Sequence, residues 1–138
     1  MLARSYAPGK WSGARILAHV ADTELVFFYR FLKAAAEEGS PVVPFDQDHW
    51  MAELHAVAPP PSQTIGLVRS LRQGFVHHLR TLPARTLERV AVHPERGPLT
   101  PLSIARIVAG HGRHHLTQIA AIRQGRAWQA GESVPYWT

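Results

Sequence analysis

Thr100-Pro101-Leu-Ser-Ile104-Ala-Arg-Ile107-Val108-Ala-Gly-His111-Gly-Arg-His114-His115-Leu-Thr-Gln118-Ile119-Ala-Ala-Ile122-Arg-Gln124-Gly125 decides how this chain folds. Thr100 is a helix cap with proline at the first helical position, and Gly125 supplies the stop. At about 100° per residue, Ile104, Ile107, Val108, Ile119 and Ile122 form one apolar stripe. His111 and His115 fall near its midline, and four-residue spacing turns both to the same side. Neutral imidazoles buried there would keep unpaired ring nitrogens, which is costly unless something binds them. A divalent cation answers that cost more completely than water or other core groups. With nine histidines in the chain, a chance surface pair or a hydrogen-bonded core pair stays open as the alternative. His114, on the stripe's flank, reads as a supporting or exposed residue and not as a ligand. His77 and His78 are adjacent and point apart, while His49, His55 and His93 lie in or near loops and carry little weight.

The same periodicity extends upstream. Tyr6 to Trp11 is a turn-rich lead-in, Ser12 an N-cap, and a helix is expected from Gly13 to Glu38, stopped by Gly39. Its stripe is Ile16, Val20, Thr23, Phe27 and Phe31, with His19 and Arg30 on the edge of that face and His19 partly inward. Pro41 to Pro44 reads as a loop, and Phe45 opens a short helix to about His55 that Pro59-Pro-Pro61 closes. Ser62 is the expected cap of a third helix to about Leu82, with Val68, Leu71, Phe75 and Leu79 as its apolar edge and Arg72 beside it. After Pro83 comes an irregular connection with a brief extended piece at Val90-Ala-Val92, and Trp128 to Thr138 reads as an irregular tail. The class is all-α, in one domain over residues 1–138. Three long amphipathic helices and a short connector leave one side of a bundle to be sealed, by connector and tail or by a second copy of the chain.

Composition bounds the function. A 46% apolar, 18% charged chain of 138 residues is globular. No apolar run approaches the roughly 18 residues of a membrane span, and the N-terminus lacks a signal peptide's apolar core. The absence of cysteine excludes disulfides, thiolate nucleophiles and cysteine-based zinc sites, and fits a soluble cytoplasmic protein. The net charge of +5 comes mostly from arginines scattered along every segment, without a nucleic-acid-binding signature, so no nucleic-acid partner is expected.

Zinc and related ions commonly take three protein nitrogens and keep a position for water when the site is catalytic. His111 and His115 supply two, and His19 on a facing helix is the candidate third. Asp22, one turn after His19, and the nearby Glu24 are candidates to orient a ligand imidazole or take a proton from bound water; an ordinary surface acid is the alternative for Asp22. Asp46 and Asp48 could reach the cavity mouth, or be plain helix-capping acids. Gln118, one turn after His115, is placed to hydrogen-bond behind the ligands. Trp11, Trp50, Phe27 and Phe28 read as core and not as substrate platforms.

An ordered set of segments resembles the DinB/YfiT-like metal-binding four-helix-bundle family, the damage-inducible family and not the polymerase of that name. The segments are Pro8-Gly-Lys-Trp11-Ser12, His19-Val-Ala-Asp22-Thr-Glu24, Pro44-Phe-Asp46-Gln-Asp48-His-Trp50, Leu71-Arg72, His93-Pro94 and His111-Gly-Arg-His-His115-Leu-Thr-Gln118-Ile119. The resemblance implies an up-down bundle, a divalent metal (often nickel or zinc) held by His19, His111 and His115, and frequent homodimers. Relatives of known activity include thiol S-transferases and a mycothiol-dependent isomerase; others are described in no more detail than metal-dependent hydrolases. Family members usually carry a long helix before the Pro-Gly-Lys-Trp turn, and this chain starts almost at that turn, so the first bundle helix is expected to be absent.

The leading expectation is a metal-dependent enzyme acting on a small molecule. In thiol transfer, an external low-molecular-weight thiol would bind the metal and Arg72 would hold its carboxylate. In hydrolysis, Asp22 or Glu24 would assist attack by water. The alternatives are a non-catalytic metal-binding stress module with a structural ion, and an all-α interaction protein with an empty histidine cluster.

Overall fold

The computed structural model describes residues 1–133 and Pro135. Among these, five α-helices are present: α1 (Gly13–Ala36), α2 (Gln47–Leu54), α3 (Pro61–Thr81), α4 (Ala84–Leu87) and α5 (Pro101–Gln124). Two short strands, β1 (Ala91–His93) and β2 (Gly97–Leu99), form an antiparallel hairpin. The protein is mostly helical, as its periodicity requires.

The strong end signals behave as expected. The Ser12 hydroxyl accepts from Arg15 N at the start of α1. Thr100 and Ser103 cap each other reciprocally at the start of α5, and Gly125 ends it with φ +69°. The start of α3 departs from expectation. Pro60 is the cap and Pro61 the first helical residue, with no side-chain cap, so Ser62 lies inside the first turn. A proline at that position has no N–H needing a partner, and its fixed φ suits a helix. Strand β2 was not expected within the irregular connection: Gly97, at φ +76°, turns the chain back so that Val92 stands opposite Pro98. Ala130–Glu132 forms a short 3₁₀ turn in the tail, while Val134 and Tyr136 to Thr138 lie outside the described residues.

Helix α1 packs against both α3 and α5. Its expected stripe of Ile16, Val20, Thr23, Phe27 and Phe31 is buried throughout. The core gathers Phe27, Phe31 and Ala34 with Phe75 of α3 and Ile104, Ile107 and Val108 of α5, closed by Val42, Ala91 and Leu99 from loop and hairpin. Each fully buried phenylalanine contributes about 1.5–3 kcal/mol. Glu24 meets Arg72, and Phe28 and Phe31 meet Phe75 and His78, so α1 and α3 run in the same direction. His19 meets His111 and His115 beyond the core's other end, so α5 runs opposite. The connector carrying α2 brings the chain back between α1 and α3.

One side stays uncovered among the described residues. Leu17, Val20, Ile65, Val68, Leu116 and Ile119 line an apolar groove of about 290 Å³ between α3 and α5, and Leu116 at its edge is 63% exposed. Val68 of α3, in that groove, is only half-buried, while Leu79 is half-buried with its side chain packed against the core. No described helix is long and apolar enough to cross a membrane.

Candidate metal centre

The imidazoles of His19, His111 and His115 converge at the end of the bundle away from the phenylalanine core. His111 Nε2 lies 3.0 Å from His19 Nε2 and 3.0 Å from His115 Nε2, and one nitrogen from each ring falls within 4.8 Å of the others. All three side chains are buried. Burial holds each imidazole neutral, aided by the neighbouring imidazoles: His19 is pushed down to about 4, His115 to about 3 and His111 to about 2. Neutral rings keep the lone pairs that a cation needs.

The surroundings fix which nitrogen carries the proton. His115 Nδ1 donates to the Gln118 side-chain carbonyl at 2.7 Å, which leaves Nε2 as the lone-pair nitrogen aimed into the cluster. The Gln118 amide nitrogen reaches His114 Nε2 at 3.3 Å, and His114 Nδ1 is 2.8 Å from the Ser133 hydroxyl. A tetrahedral ion about 2.0–2.1 Å from each nitrogen needs them roughly 3.3–3.4 Å apart, and small ring rotations span the difference. The donor set therefore fits one divalent cation.

The cluster faces a cavity of about 390 Å³, the scale of a small ligand. Tyr6, Lys10 and Trp11 line it from the N-terminal segment and Gln47 and Asp48 from the first turn of α2. A second cavity of about 300 Å³, lined by Thr23, Phe27, Arg30, Phe45, His93 and Arg96 among others, also meets Gln47 and His111.

The other candidates divide. Asp22 accepts a hydrogen bond from His55 Nε2 at 2.7 Å and does not line either cavity. Glu24, fully buried, binds the Arg72 guanidinium, whose Nε donates at 2.6 Å; Arg72 also donates to Val108 O at 3.1 Å. Burial pushes the Glu24 carboxyl up, against the pull of Arg72. That pair faces the α3–α5 side, where the Arg72 guanidinium lies close against Gly112 in the space a Cβ would take. Asp46 caps α2 by accepting from Asp48 N and His49 N, whereas Asp48 lines the cavity. Trp11, expected in the core, is half-exposed at the cavity with its ring 5.1 Å from that of His19. The tail, expected to be irregular, packs beside the site: Trp128 Nε1 donates to Thr117 Oγ1 at 2.8 Å and its ring meets Tyr6 and His114.

A helical bundle with a three-imidazole cluster opening on a cavity defines a metal-binding class of protein. Residues 2–119 match the model of the DinB superfamily, and the chain belongs to that superfamily. A protein of Oceanobacillus iheyensis bearing the name "Putative metal-dependent hydrolase" is 31% identical over 124 residues, covering 90% of this chain and 72% of that one. A Bacillus cereus protein of the same name is 32% identical, covering 89% and 70%. The solved structure of YfiT from Bacillus subtilis, described as "a probable metal-dependent hydrolase with an unusual four-helix bundle topology", superposes with a TM-score of 0.79 at 25% identity. That superposition covers 91% of this chain and 74% of YfiT.

Proposed function

We propose that this protein is a metal-dependent hydrolase of a small molecule, with His19, His111 and His115 as the ligands of one divalent ion, zinc or nickel. One observation carries the reading: three imidazoles from two helices meet on the wall of a small-ligand cavity, and no fourth His, Cys, Asp or Glu joins them among the described residues. When bound, such an ion supplies Lewis acidity toward an oxygen or sulfur donor. The chain does the rest. Gln118 holds the His115 ring by its Nδ1 proton. Asp48, the carboxylate on the cavity wall, accepts a proton from the attacking water, a role the sequence suggested for Asp22 and Glu24. Trp11 shields the cluster beside His19. Lys10, on the same wall, faces charge developing on the substrate.

Thiol transfer is the second reading, because the same ligand set serves a sulfur donor and this cysteine-free chain would need an external thiol. The test loads tag-free protein with zinc or nickel and offers esters, amides and lactones in one arm, and thiol with electrophile in the other. Hydrolysis abolished by chelator and by His111→Ala, and reduced about 10²-fold or more by Asp48→Asn, is expected. Turnover only in the thiol arm would establish transfer, and a bound ion with no chelator-sensitive turnover would make the ion structural.

The exposed apolar groove between α3 and α5 supports a homodimer in which a second copy covers it. Light scattering should give twice the 15.3 kDa chain mass; a monomer at micromolar concentration would contradict this. The composition suits the cytoplasm, where we place the protein.

A further inference from the structure

The cavity on the far side of His111 contains a buried cation that has no anion paired with it among the described residues. Arg30 is 6% exposed. One terminal nitrogen donates to Val43 O at 2.6 Å, and the guanidinium lies over the Phe27 and Phe45 rings at 4.8 and 5.8 Å. Its Nε has no partner, and no described carboxylate forms an ion pair with it. Burying a charge this way is expensive unless a counter-ion joins it. Burial first, and then the charge of Arg96, both press Arg30 toward its neutral form. Thr23, 3% exposed on the same wall, also has a hydroxyl without a partner. Arg96 and His93 complete that wall, with Glu95 as its acid.

Helix geometry connects this wall to the metal centre. At about 100° per residue, Thr23 lies roughly 40° and Arg30 roughly 20° around α1 from His19. Arg30 is about 16 Å along the axis, with a side chain that tilts back toward the N-terminus and His19. His111 and Gln47 border both cavities.

The geometry points to an anion subsite: Arg30, Thr23 and Arg96 receive a carboxylate on the substrate, whose reactive end lies at the three imidazoles. The substrate is therefore an elongated small acid with its ionised group remote from the bond that changes. This rests on the metal-site reading for the reactive end but not for the carboxylate, and the test separates the two. Protein loaded with cobalt(II) is titrated with short and longer ω-mercaptocarboxylates and with the matching mercaptoalcohols. Cobalt absorption reports sulfur reaching the ion, and the ratio of affinities reports the carboxylate.

An acid of the right length should bind about ten- to a hundredfold more tightly than its alcohol, the scale of a charged hydrogen bond. Arg30→Gln should remove that preference, and Arg96→Gln, at an exposed position, should weaken it without disturbing the fold. In metal-free protein, butyrate but not butanol should shift the Arg30 Nε–H resonance. No cobalt–sulfur absorption with any probe, together with a butyrate shift at Arg30, would fail the metal reading and leave the subsite standing. Equal affinity for acid and alcohol at every length, with the Arg30 signal unmoved by butyrate, would overturn the subsite.

Discussion

At His115 the decisive atom is Nδ1. Its proton is committed to Gln118, so the nitrogen facing His111 and His19 is a lone pair whatever else the site contains. Neutral imidazoles also set the acid response of the metal-free protein. Unfolded, these histidines titrate near 6.5; folded, they resist protonation down to about 4, 3 and 2. Below pH 6.5 the unfolded chain takes up protons that the folded one refuses. Stability is therefore intact above about 6.5 and lost as pH falls toward 4, by up to about 1.4 kcal/mol per pH unit for each group. Urea midpoints measured across that range should fall steeply, and a flat profile would show the rings are not held neutral. Arg72 plays a different part. Arg72→Ala strands the buried Glu24 carboxylate, at a cost of about 2–3 kcal/mol after allowing for the partial exposure of the guanidinium. Metal stoichiometry should be unchanged; loss of the ion in a folded Arg72→Ala protein would place Arg72 in the centre after all. The four-residue spacing made His111 and His115 legible in the sequence, because it acts within one helix. Glu24 could have been set aside by the same arithmetic, since it lies about 140° around α1 from His19. Asp22 could not, because its partner His55 arrives only through packing of the connector.

Among the elements, α2 is the one whose position matters most for the site and is held by least. Only Met51 of its residues is buried. Two tethers to α1 supplement it: Arg15 donates to Met51 O at 2.9 Å, and His55 pairs with Asp22. These hold Gln47 and Asp48 at the cavity. Asp22→Ala should speed hydrogen exchange across Gln47–Leu54 and lower turnover while leaving the ion bound. Unchanged exchange together with lost activity would assign Asp22 a direct chemical role instead. Helix α5 was legible from end to end because cap, stripe and stop agree; α1 was legible from its Ser12 cap and its stripe but ends at Ala36, two residues before the expected Glu38. The start of α3 was misread because two prolines outweigh a serine at the cap; the extended piece at Val90–Val92 overlaps β1, but its partner β2 was missed because three-residue strands show no period.

On the scale of the molecule, α1 is the spine that joins everything: core on one stretch, His19 beyond it, and α3 and α5 on either flank. The class was legible from three amphipathic patterns, but the central place of α1 and the parallel run of α1 and α3 were not, since both depend on the path of the connector. The most direct test is elemental analysis of tag-free protein alongside the single-histidine variants. Wild-type protein should hold one divalent ion per chain. His19→Ala, His111→Ala and His115→Ala should each lose it, and His114→Ala, whose ring binds Ser133 and Gln118, should keep it. Full occupancy in the His19→Ala protein, or no stoichiometric ion in the wild type under any loading, would contradict a centre shared by α1 and α5.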